Sequence, residues 1–153
     1  MKVYRITPAS FADLSGAGPR KFPGRWNTEG VSCIYTSSSA SLALLEIMVN
    51  VEDWTVFERV RHILLTIDVR ESQLASIRTD ELPKNWNSSA VTEETQQFGA
   101  RHLMNPDTLG IILPSVVVRT ESNVILNPQA RNFDRLVRIV AINEFTLDNR
   151  LLK

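Results

Sequence analysis

The stretch Ser39-Ala40-Ser41-Leu42-Ala43-Leu44-Leu45-Glu46-Ile47-Met48-Val49 reads as a helix, and one acidic side chain interrupts its apolar run. Leu42, Leu45, Glu46 and Val49 share a helical face, because the later three lie three, four and seven residues after the first. Between Val31 and Val51 no other charged residue occurs. Removing a carboxylate from water costs on the order of several kcal/mol, so such a group is kept when it is paired, protonated or open to a pocket. Two readings of Glu46 follow: a structural ion pair with Arg25 or Arg5, and a catalytic carboxylate.

The 153 residues suit one domain spanning 1–153 with a full hydrophobic core. Lysine plus arginine equal aspartate plus glutamate, 17 against 17. That balance removes the basic field that drives phosphate-backbone binding, so direct nucleic-acid contact is not expected. Residues 51 to 100 hold nine acidic and five basic side chains, a stretch for solvent or a partner. Cys33 stands alone in an apolar setting and reads as a small core residue. Met1 to Ile6 alternates like a strand rather than a signal peptide. No apolar run reaches membrane-spanning length. The expectation is a cytoplasmic protein with no membrane contact.

Working outward from the helix, Ser37, Ser38 and Ser39 offer N-caps, and Ser32 to Thr36 reads as the strand before them. Upstream, Pro8 to Asn27 is a long loop rich in Gly and Pro, following a strand from Val3 to Ile6. Downstream, Val56 to Val69 is rich in branched residues and reads as one long strand or two. His62 sits in it as a surface or edge residue, with no second histidine at metal-ligand spacing. Ser72 to Asn87 is turn-rich. Thr92 to Met104 reads as a helix, with Glu93 and Glu94 at its positive end and Arg101 and His102 at the other. Short apolar runs follow at Gly110–Leu113, Ser115–Val118 and Asn123–Leu126, and Leu136 to Thr146 closes the chain as a strand. The order predicts a mixed α/β or α+β domain without the regular alternation of a doubly wound sheet.

Gly24-Arg25-Trp26-Asn27, then Gly30, then Ile34-Tyr35-Thr36, then Ala43-Leu44-Leu45-Glu46, and far downstream Pro114-Ser115 and Asn127-Pro128, form one ordered series. Each alone is commonplace. In this order and spacing, with the Tyr4-Arg5-Ile6 start and Ser15-Gly16-Ala17-Gly18, they resemble the RES-domain family over nearly the whole chain. Many members carry a histidine soon after the late Asn-Pro, where this chain has Gln129-Ala130.

The resemblance implies an ADP-ribosyltransferase-like fold that takes NAD as substrate, with no metal. Members are toxins of bacterial type II toxin–antitoxin pairs. They deplete NAD by hydrolysis or phosphorolysis of the nicotinamide–ribose bond, or transfer ADP-ribose to a protein. A cognate Xre-type antitoxin with a helix-turn-helix neutralises each, and a toxin homodimer within that complex is a further expectation. Carried over residue by residue, Arg25, Tyr35, Glu46 and Ser115 form the catalytic set, and Arg5 and Asn127 join Arg25 and Tyr35 as contacts to NAD.

The residue types fit that chemistry. Ordinary glycosidases need a second carboxyl group to protonate the leaving oxygen. Nicotinamide in NAD is already cationic and departs neutral, so a single carboxylate near the ribose suffices to favour the developing positive charge. A guanidinium such as Arg25 matches a pyrophosphate, and Tyr35 suits stacking or a ribose hydroxyl. Ser115 suits orientation of the nicotinamide amide, ribose or acceptor; no His partner marks it as a nucleophile. A catalytically idle partner-binding module is the alternative from another class. A ribonuclease is a distant reading, for want of basic charge and paired histidines.

Overall fold

The computed structural model describes residues 1–152. In chain order the elements are β1 (Lys2–Pro8), α1 (Ala17–Lys21), β2 (Ile34–Ser37), α2 (Ala40–Asn50), α3 (Trp54–Arg59), β3 (His62–Val69), β4 (Leu74–Ser76), α4 (Glu93–Leu103), β5 (Gly110–Pro114), β6 (Ser122–Leu126), α5 (Phe133–Leu136) and β7 (Val137–Phe145). The strands form one mixed sheet in the order β4-β5-β6-β2-β1-β3-β7, antiparallel except for β4 beside β5. Strand alternation sorts the apolar side chains onto two faces. One core gathers Val3, Ile34, Leu65, Ile67, Val124 and Phe133, and the other Trp26, Trp86, Leu103, Ile111, Leu113 and Ile125.

One join in this sheet positions the site. β1 runs beside β3 for seven consecutive pairs, from Lys2↔Asp68 to Pro8↔His62, yet meets β2 at the single pair Tyr4↔Ser37. Past that rung the two strands splay, and Arg5, Ile6 and Thr7 on one side face Tyr35 and Thr36 on the other across a cavity. The sheet is in effect two half-sheets with a cleft between them.

The helices follow local capping. Ser39 Oγ accepts from the Leu42 amide at 3.0 Å and starts α2. Thr92 likewise caps α4. The branched run from Val56 is not strand from its start. Asp53 accepts from Thr55 N at 2.9 Å and nucleates α3, and the edge-on contact of Trp54 with Phe57 rewards that turn, so β3 begins only at His62. Ser115–Val118 is a turn rather than a strand, because Ser115 Oγ accepts from the amides of Val117 and Val118 at 3.0 and 3.1 Å. The loop from Pro8 to Asn27 hides α1, and the turn-rich stretch after Ser72 hides β4. No helix among the described residues is long and apolar enough to cross a membrane.

Cys33 lies fully buried just before β2, as expected of a core thiol. Burial pushes its pKa up to about 12, against smaller downward pulls from the Tyr35 hydroxyl and Arg5. The folded thiol therefore holds its proton where an unfolded one, with a pKa of about 8.5, loses it. The stability this contributes is complete below that unfolded pKa and drains away as pH rises toward about 12. Iodoacetamide at pH 8.5 is expected to leave the folded protein unmodified and to alkylate it in urea, read by mass spectrometry.

Candidate active site

The cavity at the split has a volume of about 910 Å³, within the range of ligand pockets. Arg5, Arg25, Tyr35, Glu46, Asn123 and His62 are among the residues that line it.

Glu46 projects from the middle of α2 and is half-buried. The wall around it is less greasy than the sequence implies, since Leu45 and Val49 are 38 % and 61 % exposed. What offsets the partial loss of water is a pair of neutral donors. Asn123 Nδ2 donates to Glu46 Oε1 at 2.6 Å and Ser115 Oγ to the same oxygen at 2.8 Å. Neither Arg25 nor Arg5 forms an ion pair with it among the described residues. Oε2 is left without a protein partner. Every buried side-chain polar atom among the described residues has one, so Oε2 is open to solvent on a residue that lines the cavity.

Both donors are held in turn. Asn123 pairs with Ser37 across β6 and β2, and Ser37 Oγ donates to Asn123 Oδ1 at 3.0 Å, which fixes the amide with its NH₂ toward Glu46. Ser115 is fully buried and sits in the turn that ends at Glu121. Glu121 accepts from Ser39 Oγ at 2.6 Å, tying that turn to the start of α2. Ser115 is thus spent on aiming Glu46 and does not line the cavity, in contrast to the substrate-orienting place the sequence gives it.

Arg25 and Tyr35 belong to one clamp. The Tyr35 hydroxyl accepts from Trp26 N at 2.9 Å and donates to Asn27 Oδ1 at 2.8 Å, so its ring lines the cavity while its oxygen is committed to the loop. Asn27 is fully buried; its Oδ1 also takes the Gly24 amide, and its Nδ2 serves Pro19 and Val31 carbonyls. A Cβ at Gly24 would lie 2.7 Å from the Tyr35 hydroxyl, and one at Gly99 only 2.0 Å from the Trp26 carbonyl, so glycine is needed at both close approaches.

Arg25 leaves this loop to donate to the carbonyls of Trp86, Ala90 and Ser89 at 3.0, 3.3 and 3.4 Å, holding the 86–90 segment over the cleft. Burial lowers its pKa, with Glu46 and then Tyr35 opposing. Arg5 is pulled the same way by burial, opposed by Asp13 and Cys33, and makes one long bond at 3.4 Å to the Asp13 carbonyl. Both stay cationic, and Arg5 has donors to spare.

Two expectations from the sequence are corrected. Asn127 does not reach the cavity: it is fully buried, its Nδ2 donates to the Asn105 and Thr108 carbonyls and its Oδ1 takes the Gln129 amide. His62 is no surface residue. It is 7 % exposed, lines the cavity and stacks on Phe57 with ring centroids 3.8 Å apart. Sequence reasoning also gave Asn123 and Ser37 no part in holding Glu46. Only strand register brings them to Glu46, and a single chain of letters does not display register. No cluster of three or more His, Cys, Asp or Glu side chains suited to a metal is found among the described residues.

The architecture is a single α+β domain whose split seven-stranded sheet opens on a cleft holding a carboxylate and two arginines. Its likeness of fold is to the M. tuberculosis MbcT–MbcA toxin–antitoxin complex, with a TM-score of 0.70 at 20 % identity, covering 95 % of this chain and 84 % of that one. The family model described as the RES domain matches residues 2–148. The protein called Toxin Res from Photorhabdus laumondii is 34 % identical over 155 residues, covering 100 % of this chain and 98 % of that protein. A Prs ADP-ribosylating toxin from a Sphingobium species is 30 % identical over 144 residues, covering 92 % and 88 %. The chain belongs to the RES-domain family.

Proposed function

We propose that this chain is the toxin of a toxin–antitoxin pair and depletes NAD by breaking its nicotinamide–ribose bond. The observation that carries the reading is Glu46, with Oε1 fixed by Asn123 and Ser115 and Oε2 open in a cleft that also holds two arginines. In this reading Oε2 faces the ribose and stabilises the positive charge that builds as neutral nicotinamide leaves. The aim is set before the reaction, so no reorganisation is needed at the transition state. Arg5 supplies uncommitted donors to the pyrophosphate, and Arg25 keeps the 86–90 segment in place while adding its charge. Water or phosphate then attacks the anomeric carbon, giving ADP-ribose or its 1-phosphate. An antitoxin, of the helix-turn-helix Xre type, covers the protein until it is needed. The toxin–antitoxin nature of the structural neighbour and the names of the relatives support that part.

The test is product identification from NAD by purified protein freed of its partner, with and without phosphate. Label retained on protein would instead mark transfer of ADP-ribose, a second reading favoured by the relative named for ADP-ribosylation. Absence of any NAD turnover together with absence of protein labelling would overturn both.

Ser115 acts here as a positioning residue. Ser115→Ala is expected to lower kcat by about 10- to 100-fold, the worth of one hydrogen bond to a charged group, with KM little changed. Ser115→Thr keeps the hydroxyl and is expected to recover part of the loss, measured as initial rates of nicotinamide release.

A further inference from the structure

We propose that the far end of the cleft, built by His62 and Phe57, is an adenine-selective base site. This rests on the reading of the cavity as an NAD site and adds which side chains read its second base.

The distance is right for the other half of a dinucleotide. Asn123, Ser37 and Tyr4 lie in one row across the sheet and mark the Glu46 end. His62 pairs with Pro8, four residues past Tyr4 along β1 and one strand further over. At the usual strand spacings His62 stands on the order of 15 Å from the Ser37 rung. A ligand held at Glu46 by the ribose next to its nicotinamide spans that gap only through a pyrophosphate and a second nucleoside. Arg5, one residue past Tyr4 on the same stretch of β1, lines the cavity between the two ends, where the pyrophosphate would pass.

The chemistry at this end is that of a base reader. His62 Nδ1 lies 2.7 Å from the Val60 carbonyl, an oxygen that only accepts, so Nδ1 carries the proton. With that proton on Nδ1, the imidazole form of His62 offers Nε2 as an acceptor. Nε2 has no partner, and since no buried polar side-chain atom among the described residues is unsatisfied, it is open to solvent on a residue that lines the cavity. The imidazole cannot swing away, because Phe57 is stacked on it at an interplanar angle of 15°. A fixed acceptor beside an aromatic platform suits a base with an exocyclic amino group. Adenine presents such a donor at C6. Hypoxanthine presents a carbonyl there, and two acceptors would face each other.

The experiment compares NAD with nicotinamide hypoxanthine dinucleotide in turnover, and AMP with IMP in binding by calorimetry, so the second pair reports even where no turnover occurs. The parent protein is expected to favour the adenine member of each pair about tenfold, the worth of one hydrogen bond. Two variants delete Nε2 by different routes. His62→Asn keeps a donor for the Val60 carbonyl, and His62→Phe keeps the stack on Phe57. In whichever of them melts like the parent, the adenine preference is expected to fall below twofold. A parent with no preference, or a folded variant that keeps the full preference, would overturn the base site and leave the proposed NAD activity intact. Preference for AMP without any NAD turnover would overturn the activity and leave the base site standing.

Discussion

Glu46→Gln is expected to lower NAD turnover by about 10²–10³-fold in kcat, the usual loss when a preorganised charge is removed from a transition state, with a much smaller change in KM. The substitution suits the question because of where the hydrogen bonds fall. Asn123 and Ser115 both donate to Oε1, and the amide carbonyl of glutamine accepts from both in the same place. The fold around α2 keeps its polar contacts while the negative charge disappears, so the melting temperature is expected to stay close to the parent's. Nicotinamide release and thermal unfolding, measured on the same preparation, check the two halves together. Full turnover by a folded Glu46→Gln protein would remove the carboxylate from the mechanism. Glu46→Ala is less clean, since it leaves both donors facing a gap.

Gly99→Ala is expected to give the largest loss of stability of any glycine-to-alanine substitution in the chain. The new Cβ would stand 2.0 Å from the Trp26 carbonyl oxygen and 2.7 Å from its carbon, both backbone atoms. Neither can rotate aside. Helix α4 is pinned as well, by buried Thr95 and by Gln96, whose amide donates to the Gly24 carbonyl at 3.1 Å. Helix and loop must part, breaking the Tyr35–Asn27–Gly24 clamp. A cost at or above the ~3 kcal/mol upper end of ordinary overpacking is expected, read as a lower urea midpoint. Turnover should fall as Arg25 moves with its loop. Gly18→Ala is the control: nothing lies within 4 Å of its Cβ position in α1, and a neutral result or a gain of about 0.5–1 kcal/mol is expected.

The parts of this protein that its letters disclose are the locally determined ones. Ser39 caps α2 from among the serines that offer N-caps, α4 lies within the helix read over Thr92 to Met104, and Glu46 stands out because a lone acid in an apolar run is costly. Where the reading failed, something non-local or a competing local bond decided. Asp53 turned the start of the branched stretch, Val56 to Arg59, into helix. The Ser115 hydroxyl, by taking two amides of its own turn, ended the strand expected there. The donors that hold Glu46 lie 69 and 77 residues away in sequence; the turn after β5 delivers Ser115, and the register of β2 on β6 delivers Asn123. The same blindness hid His62, whose place depends on how far β1 runs before it leaves β2.

The lone Tyr4↔Ser37 rung has a mechanical corollary. With so little lacing between them, the two panels of the sheet can pivot, and an occupant gripped from Arg5 and from Glu46 at once would act as a staple. Amide hydrogen exchange at those amides of Arg5–Thr7 and Tyr35–Thr36 that face the split should therefore be brisk in the empty protein and slow markedly when NAD or ADP-ribose is bound, while Leu65 and Ile125, laced on both sides, barely respond.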